Sequence, residues 1–344
     1  MTAAAPRVAV LRGLRGLHGL AVAAAVLCSL GDARAATPIQ TACFAPSPPV
    51  RDLDLDRYYG DREGSEVDAG KLARHREATA PLRAYLGAVS RSADAAIVRD
   101  STADARCALD RLAEWAAGGA LAGRITGKQA EYERNWSVAG FALAYLKVRD
   151  AARPEQRATI EPWLARLQAA SAAFLDAPDR RRNNHRYWHG LATLAVAIAT
   201  SDAALMARAR AIHGEAARAI AANGTLEAEL ARRSRALHYH VFALAPLVLM
   251  AEIASTRGED WYALEDGAVH RLAALVVAGL RDPARFEALA RVPQERPTRP
   301  QAGWLSLYAA RFPDRVGQPM PEVGTSHRWL GGDTGLLMRR LGGR

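Results

Sequence analysis

The feature that most limits the fold is a helical pattern of apolar residues that runs from about Lys71 to Leu280. Apolar side chains recur there at spacings of three and four residues, as in APLRAYLGAVSRS and IEPWLARLQAASAAFLDA. Ala, Leu and Arg, which favour helices, dominate these stretches, and Gly, Asp-Pro or Asn-Gly separates them. Because no stretch alternates apolar and polar residues for long, the pattern predicts an all-α fold without a sheet of any size.

The predicted helices are short and follow one another closely, with neither a heptad seam nor a repeat of fixed period. Antiparallel helix pairs of this kind form either a solenoid or a closed ring of hairpins. Two segments interrupt the pattern. Residues 50–70 are polar, charged and glycine-containing, which is typical of a mobile surface loop, and residues 291–301 form a proline-rich connector.

The start of the chain has the composition of a secretory leader. Three arginines precede the apolar run LAVAAAVLCSL, and the small-residue sequence ARA follows it. We therefore expect a signal peptide over residues 1–35, a single mature domain over residues 36–344 and a periplasmic location. The alternative is an N-terminal membrane anchor, but the apolar run is short for a membrane span and no second run follows.

Cysteine count and charge describe the exported part of the chain. Cys28 is lost with the leader, so Cys43 and Cys107 remain as a pair in an oxidising compartment, which predicts one disulfide rather than two free thiols. The whole chain carries a net charge of +10, and removal of the leader's four Arg and one Asp leaves +7. This charge favours an anionic partner. An acidic polysaccharide fits better than nucleic acid, because the chain has no zinc finger, basic arm or aromatic-basic RNA-binding motif.

Hydrogen-bonding side chains are concentrated in RRNNHRYWHG, residues 181–190, although the chain is otherwise rich in Ala and Leu. Stability does not explain this, since buried polar groups gain little and cost much when they are unpaired. The stretch therefore indicates a site at the start of a helix, with Asn183 or Asn184 as the helix cap. His185 and His189 have the i, i+4 spacing of a zinc pair, but an arginine replaces the glutamate of that motif and no third ligand stands out. We expect no metal here.

A second cluster lies in LEAELARRSRALHYHVFALAPL, residues 226–247. On a helix, Arg232, Arg235 and Tyr239 share one face, at spacings i, i+3 and i+7. Two guanidinium groups beside the phenol favour its ionised form, so they would lower the pKa of Tyr239. The alternative is a core tyrosine next to a solvated arginine face.

One reaction uses all of these residue types. A uronic acid polymer is cleaved by β-elimination when a base removes the C5 proton and the bond at O4 breaks. The neighbouring carboxylate must be neutralised by hydrogen-bond donors, for which Asn184, His185 and Arg232 are suited. A tyrosinate at Tyr239 accepts the proton and returns it to the leaving oxygen. Glycoside hydrolysis would instead require two facing carboxylates, and neither cluster contains an evident acidic pair.

The two clusters together resemble polysaccharide lyase family 5, the exported alginate lyases. The similarity is carried by NNHRYW and ELARRSRALHYHVFALAPL, and it extends to CFAPSPPV, DARCALDRLAEWA, RYYGD, YERNWSVAGFALAYLKV and HRWLGGDTG. It implies an incomplete (α/α) toroid with a deep substrate cleft and with neither a metal nor an organic cofactor.

The resemblance also implies roles for single residues. Asn184, His185 and Arg232 neutralise the carboxylate, and Tyr239 acts as base and acid. The loop of residues 50–70 becomes a lid over the cleft. Substrate-binding residues are then Arg57 and Tyr58 in the lid, Trp136 in the cleft wall and Arg328 in the tail.

Four further residues are candidates because of their place in the two clusters. Tyr187 and Trp188 would orient the neighbouring donors or line the cleft, and the alternative for Trp188 is a core anchor at the start of the helix. Arg235 and His238, close to Tyr239 in the sequence, are predicted to bind the substrate.

We therefore predict a periplasmic polyuronate lyase, with polymannuronate as the first choice of substrate and polyglucuronate or hyaluronate as the second. Arg186, Glu227, His238 and the pair Val241–Phe242 depart from the family pattern, and these departures bear on the substrate more than on the reaction. The rival class is a non-catalytic binding module for acidic polysaccharide. A scaffold role in a polymer-export complex is compatible with either.

Overall fold

The computed structural model describes residues 43–342, and the predicted leader lies outside them. The α-helices in this part of the chain are α1 (Ala69–Val98), α2 (Thr102–Ala117), α3 (Lys128–Val148), α4 (Pro154–Leu175), α5 (Asn184–Thr200), α6 (Ala203–Ala219), α7 (Glu227–Leu230), α8 (Ala236–Ser255), α9 (Leu264–Arg281), α10 (Ala284–Ala290), α11 (Trp304–Arg311), α12 (Pro313–Val316) and α13 (Thr334–Gly342). The predicted all-α fold is confirmed.

Helices α3, α5 and α8 form the centre of the molecule because they are buried on nearly every side. α5 lies between α3 and α8, while α1, α2 and α4 pack around α3, and α6 and α9 pack on the other flank. The segment Arg233–Ser255 has the length and hydropathy of a membrane span, yet 94% of its most apolar stretch is buried inside the protein. Its burial shows that it is a core helix of this fold.

Strands occur in the described residues only as ladders of two residues. β1 (Leu53–Asp54) pairs in parallel with β2 (Ile125–Thr126), and β3 (Ser326–His327) pairs antiparallel with β4 (Gly332–Asp333). The first ladder ties the start of the 50–70 loop to the segment before α3. The second ladder forms the hairpin that brings the C-terminal tail against the helices. Both ladders therefore position segments that reach the cleft described below.

The tail is anchored by a buried ion pair. Lys147 on α3 is 2% exposed and its Nζ donates to an Asp94 carboxylate oxygen and, at 2.7 Å, to the Gly331 carbonyl. The second oxygen of Asp94 accepts a hydrogen bond from the Asp333 backbone N–H at 3.0 Å. Gly331 has φ of +73°, and a Cβ atom there would lie 2.6 Å from Leu143. The tail is thus fixed on both sides of a turn that only glycine fits.

The predicted disulfide between Cys43 and Cys107 is confirmed. It joins the N-terminal segment to α2, with the two Cα atoms 5.3 Å apart. The indole of Trp115 on the same helix donates to the Ser47 carbonyl at 3.0 Å, so the segment is also held by a hydrogen bond. The start of the described chain is thereby attached to the helical body.

Candidate active site

The start of α5 is set by an asparagine cap. Asn183 has an extended backbone, and its side-chain oxygen accepts from the His185 N–H at 3.2 Å, so Asn183 rather than Asn184 caps the helix. The cap places Asn184 and His185 in the first turn. Because the side chain of His185 lines the cleft, the motif presents an imidazole at the end of a core helix.

The assumption that Arg232, Arg235 and Tyr239 lie on one continuous helix is wrong. α7 ends at Leu230, Arg233 adopts a left-handed backbone with φ of +51°, and α8 begins only at Ala236. Arg232 and Arg235 nevertheless both reach Tyr239, with their guanidinium carbons 3.9 and 5.4 Å from the centre of its ring. The break in the helix, rather than helical spacing, brings the three side chains together.

The hydroxyl of Tyr239 is in contact with a second phenol. Tyr59, from the 50–70 loop, hydrogen-bonds to it, and Arg235 Nη1 donates to the Tyr59 hydroxyl at 2.8 Å. Arg235 also lies 3.3 Å from His238 Nε2. These contacts form a chain of hydrogen bonds from a permanent cation to the Tyr239 oxygen.

The two guanidinium groups act on the pKa of Tyr239 in the predicted direction, but they do not determine its net shift. Burial and the neighbouring Tyr59 raise the pKa well above 10, and Arg232 and Arg235 offset this only in part. Burial, reinforced by Arg235 and Arg232, also lowers the pKa of His238 to about 3. Both side chains are therefore neutral near pH 7.

His185 lies flat on the ring of Tyr132, with centroids 3.5 Å apart and planes 6° from parallel. Trp136 lies on the same side at 5.7 Å. Burial lowers the pKa of His185 to about 3, and nearby Arg232 acts in the same direction, so the imidazole is neutral. Its Nδ1 has no hydrogen-bond partner among the described residues.

Asn184 lies behind this surface and is fully buried. Its amide nitrogen donates to both carboxylate oxygens of Glu229 at 2.9 Å, and its backbone N–H donates to one of them at 2.8 Å. Its Oδ1 has no partner in the described part of the chain. Asn184 therefore does not line the cleft, whereas Asn183 and His185 do.

The 50–70 loop closes over Arg232. Arg232 Nη1 donates to the Glu63 carbonyl at 2.6 Å and lies 3.5 Å from the Gly64 carbonyl. Gly64 has φ of +74°, and a Cβ atom there would lie only 1.9 Å from Arg232 Nη1. Asp61 organises the loop because its carboxylate accepts hydrogen bonds from the backbone N–H groups of Ser65 and Glu66. Residues 57–68 are called the lid below.

Two cavities of about 430 and 250 Å³ share the side chains of Tyr59, Gln129, His185 and Arg232, so they are two parts of one cleft. The larger part is strongly basic and is lined by Arg57, Arg62, Lys128, Arg180 and Arg181 against Asp56 and Asp179. The smaller part combines guanidinium groups with aromatic rings, namely Arg76, Arg83, Tyr58, Trp136, Phe242 and Trp329. A cleft of this kind attracts a polyanion and offers flat apolar surfaces to sugar rings.

Other predicted site residues are placed as follows. Arg57 and Tyr58 lie in the lid and Trp136 lies in the cleft wall, 4.5 Å from Trp329. Arg328 is exposed on the tail next to Trp329. Tyr187 and Trp188, predicted to line the cleft or to orient its donors, lie instead in the core, where the Trp188 indole donates to the Phe242 carbonyl at 3.0 Å.

Several residues of this site were not predicted from the sequence. Tyr58 of the RYYGD loop was predicted to belong to the site, whereas Tyr59 is the phenol that reaches Tyr239. Sequence reasoning also missed Glu229 and the pair Arg83–Glu133, in which Arg83 Nε donates to the fully buried carboxylate at 2.6 Å. The repeated tyrosine was the only available sign, because arginine and glutamate are common throughout the helices.

Comparison with known proteins agrees with this geometry. The family model for alginate lyase matches residues 53–286. A polysaccharide lyase of Stenotrophomonas maltophilia is 44% identical over 279 residues, which cover 79% of this chain and 83% of the relative. An alginate lyase of Azotobacter vinelandii is 34% identical over 266 residues, covering 73% of this chain and 71% of the relative.

Solved structures show the same fold. Alginate lyase A1-III from Sphingomonas species A1 superimposes with a TM-score of 0.70 at 25% identity, covering 87% of this chain and 86% of that one. Its H192A variant in complex with a tetrasaccharide gives a TM-score of 0.76 at 24% identity, with the same coverage. The predicted incomplete (α/α) toroid is confirmed.

Fold and site together define a polysaccharide lyase that acts on a polyuronate, an acidic polysaccharide. Within that class, the chain belongs to the alginate lyase family.

Proposed function

We propose that the protein is a member of polysaccharide lyase family 5 that depolymerises alginate in the periplasm, with polymannuronate as its preferred substrate. The observation that carries the proposal is the arrangement of Arg232, Arg235 and Tyr59 around the Tyr239 hydroxyl, beside the neutral imidazole of His185. The choice of alginate is supported by the activity that the Azotobacter and Sphingomonas relatives are named for.

The first task of the site is to neutralise the substrate carboxylate. Arg232 supplies a permanent positive charge, and His185 supplies an imidazole N–H whose direction is fixed by stacking on Tyr132. Asn184 supports these donors from behind the cleft wall, because Glu229 holds its buried amide nitrogen. With these donors in place, negative charge that develops at C5 spreads into the carboxylate group.

Tyr239 then moves the proton. Because the phenol is neutral near pH 7, it first loses its hydroxyl proton to solvent. As a phenolate it then removes the C5 proton, the electron pair forms the C4–C5 double bond, and the C4–O bond breaks. The phenol then returns that proton to the leaving oxygen, so one side chain serves as base and acid. The phenolate is stabilised by Arg232 over the ring and by the Tyr59 hydroxyl, which is itself polarised by Arg235.

A second candidate substrate is polyglucuronate or hyaluronate. The observation that favours it is the half-buried His238 in the smaller part of the cleft, beside the presumed catalytic phenol. The relative from Stenotrophomonas also carries only the general name polysaccharide lyase. The elimination chemistry is the same for all of these polymers, since each has a C5 carboxylate and an O4 leaving group.

Absorbance of the unsaturated product tests the proposal. Purified mature protein is mixed with polymannuronate, polyguluronate, polyglucuronate or hyaluronate in the presence of a chelator. We expect the fastest rise with polymannuronate and at least about a thousandfold loss of rate in Tyr239→Phe, with binding retained. The matched control is Tyr145→Phe, which removes the hydroxyl of a buried tyrosine that bonds Glu161 away from the cleft. Absence of a rise with every polymer would favour the binding module.

A further inference from the structure

Glu229 places a carboxylate where both stability and substrate binding disfavour a negative charge. The residue is 0% exposed, and burial raises the pKa of its carboxyl group while Arg232 opposes this rise. Burying a carboxylate is costly unless it is paired and hydrogen-bonded. In addition, its negative charge lies behind donors that must bind a sugar carboxylate, so it repels the substrate.

Among residues 43–342, the side chain of Glu229 makes its polar contacts with Asn184 and Arg232. Oε1 accepts from the Asn184 backbone N–H at 2.8 Å, and both oxygens lie 2.9 Å from the Asn184 amide nitrogen. Oε2 lies 4.0 Å from Arg232 Nε. A carboxylate only accepts hydrogen bonds, so it dictates that the NH₂ end of the Asn184 amide, rather than its oxygen, faces Glu229.

We propose that Glu229 is a positioning residue for the elimination reaction. Through Asn184 it fixes the first turn of α5, which carries His185, and it holds the Arg232 guanidinium, so that His185 and Arg232 are placed to neutralise the substrate carboxylate. The inference rests on the proposed function and names a residue outside the set that the sequence predicts. Glu229 acts through Asn184 by holding both its backbone N–H and its amide nitrogen, which stand next to His185 in the same helical turn. It acts on Arg232 by charge, across a separation of three residues.

Replacement of Glu229 by Gln tests this role. A glutamine side chain has nearly the same shape, but it presents a donor as well as an acceptor, so the orientation of the Asn184 amide is no longer dictated. We expect kcat on polymannuronate to fall by about 30- to 100-fold, because carboxylate neutralisation matters most in the transition state. KM should change by less than about threefold, since E229Q also removes a charge that repels the substrate.

The matched control is Glu252→Gln. Glu252 is another buried carboxylate, which accepts from Arg311 and from the Tyr262 hydroxyl at about 3 Å and lies outside the cleft. Both variants lose a buried anion, so both should unfold at lower temperature, but only E229Q should lose kcat. A kcat for E229Q within twofold of that for E252Q overturns the proposal.

A double-variant cycle tests the mechanism and covers the case in which E229Q folds poorly. If Glu229 works through Asn184, the variant Glu229→Asp combined with Asn184→Ala is no slower than Asn184→Ala alone, whereas independent roles give additive losses. Additive losses overturn the proposal. Failure of the proposed function is a separate outcome, because the wild-type protein then produces no unsaturated product from any polymer.

Discussion

The ion pair between Lys147 and Asp94 gives a sharp test of how the tail is held. Replacement of Lys147 by Met keeps the length of the side chain and its apolar stem, but it removes the ammonium group that bonds Asp94 and the Gly331 carbonyl. Asp94 is then left without its cationic partner, and the tail loses one of the two hydrogen bonds that join it to this ion pair. The second hydrogen bond, from the Asp333 N–H to Asp94, remains.

The magnitude follows from burial. Breaking a buried ion pair by removing one partner costs about 3–5 kcal/mol. The side chain of Lys147 is 0% exposed but that of Asp94 is 16% exposed, so water partly compensates the remaining carboxylate and the low end of this range applies. We therefore expect the free energy of unfolding to fall by about 3 kcal/mol. For a chain of this size, that lowers Tm by about 6 °C.

The measurement is urea unfolding followed by circular dichroism, with steady-state kinetics on the same preparations. The slope of free energy against urea should stay constant while the midpoint falls, which separates lost stability from a changed unfolded state. KM should rise and kcat should hold, because Trp329 lines the cleft from the tail while the residues around Tyr239 are untouched. The double variant Lys147→Met with Asp94→Asn should recover at least half of the loss. A single variant within about 0.5 kcal/mol of the wild type would refute the reasoning.

Three further outcomes are expected. Tyr59→Phe breaks the link from Arg235 to Tyr239, so the phenolate loses a hydrogen-bond donor and kcat should fall about tenfold, and an unchanged kcat would contradict the relay. Removing both cysteines opens a loop whose ends are 64 positions apart in the sequence, which should lower the free energy of unfolding by about 4 kcal/mol. An unchanged midpoint of urea unfolding would count against this estimate. Burial lowers the pKa of His213 and His240 to about 4, below the unfolded value of about 6.5. Their stabilising effect is therefore complete above pH 6.5 and is lost towards pH 4, at about 1.4 kcal/mol per pH unit for each histidine, so a Tm that is constant from pH 7 to 5 would be inconsistent with it.

Much of the fold could be predicted because its determinants are local. Three- and four-residue spacing located the helices, an asparagine before an apolar run located the start of α5, and the even cysteine count led to the pair Cys43–Cys107. These features depend on neighbouring residues or on simple chemistry. Each of these predictions can be made without knowing how the helices pack.

The parts of the site that could not be predicted depend on contacts between distant segments. Glu229 meets Asn184 across 45 positions, and Tyr59 meets Tyr239 across 180, so spacing in the sequence carried no information about either pair. The break at Arg233 needs a left-handed backbone that is uncommon for arginine. Likewise, the pKa of a tyrosine depends on its burial, which only the packed structure determines.

The contact between the lid and Arg232 has a consequence for how such a loop can change over evolutionary time. Because the guanidinium of Arg232 bonds to main-chain carbonyl oxygens, this contact does not constrain which side chain stands at position 63. Position 64 is the exception, since any Cβ atom there would collide with the arginine. As far as this contact is concerned, we therefore expect lid sequences to vary around a glycine at position 64, whereas Tyr59 and Asp61 act through their side chains and are expected to vary less.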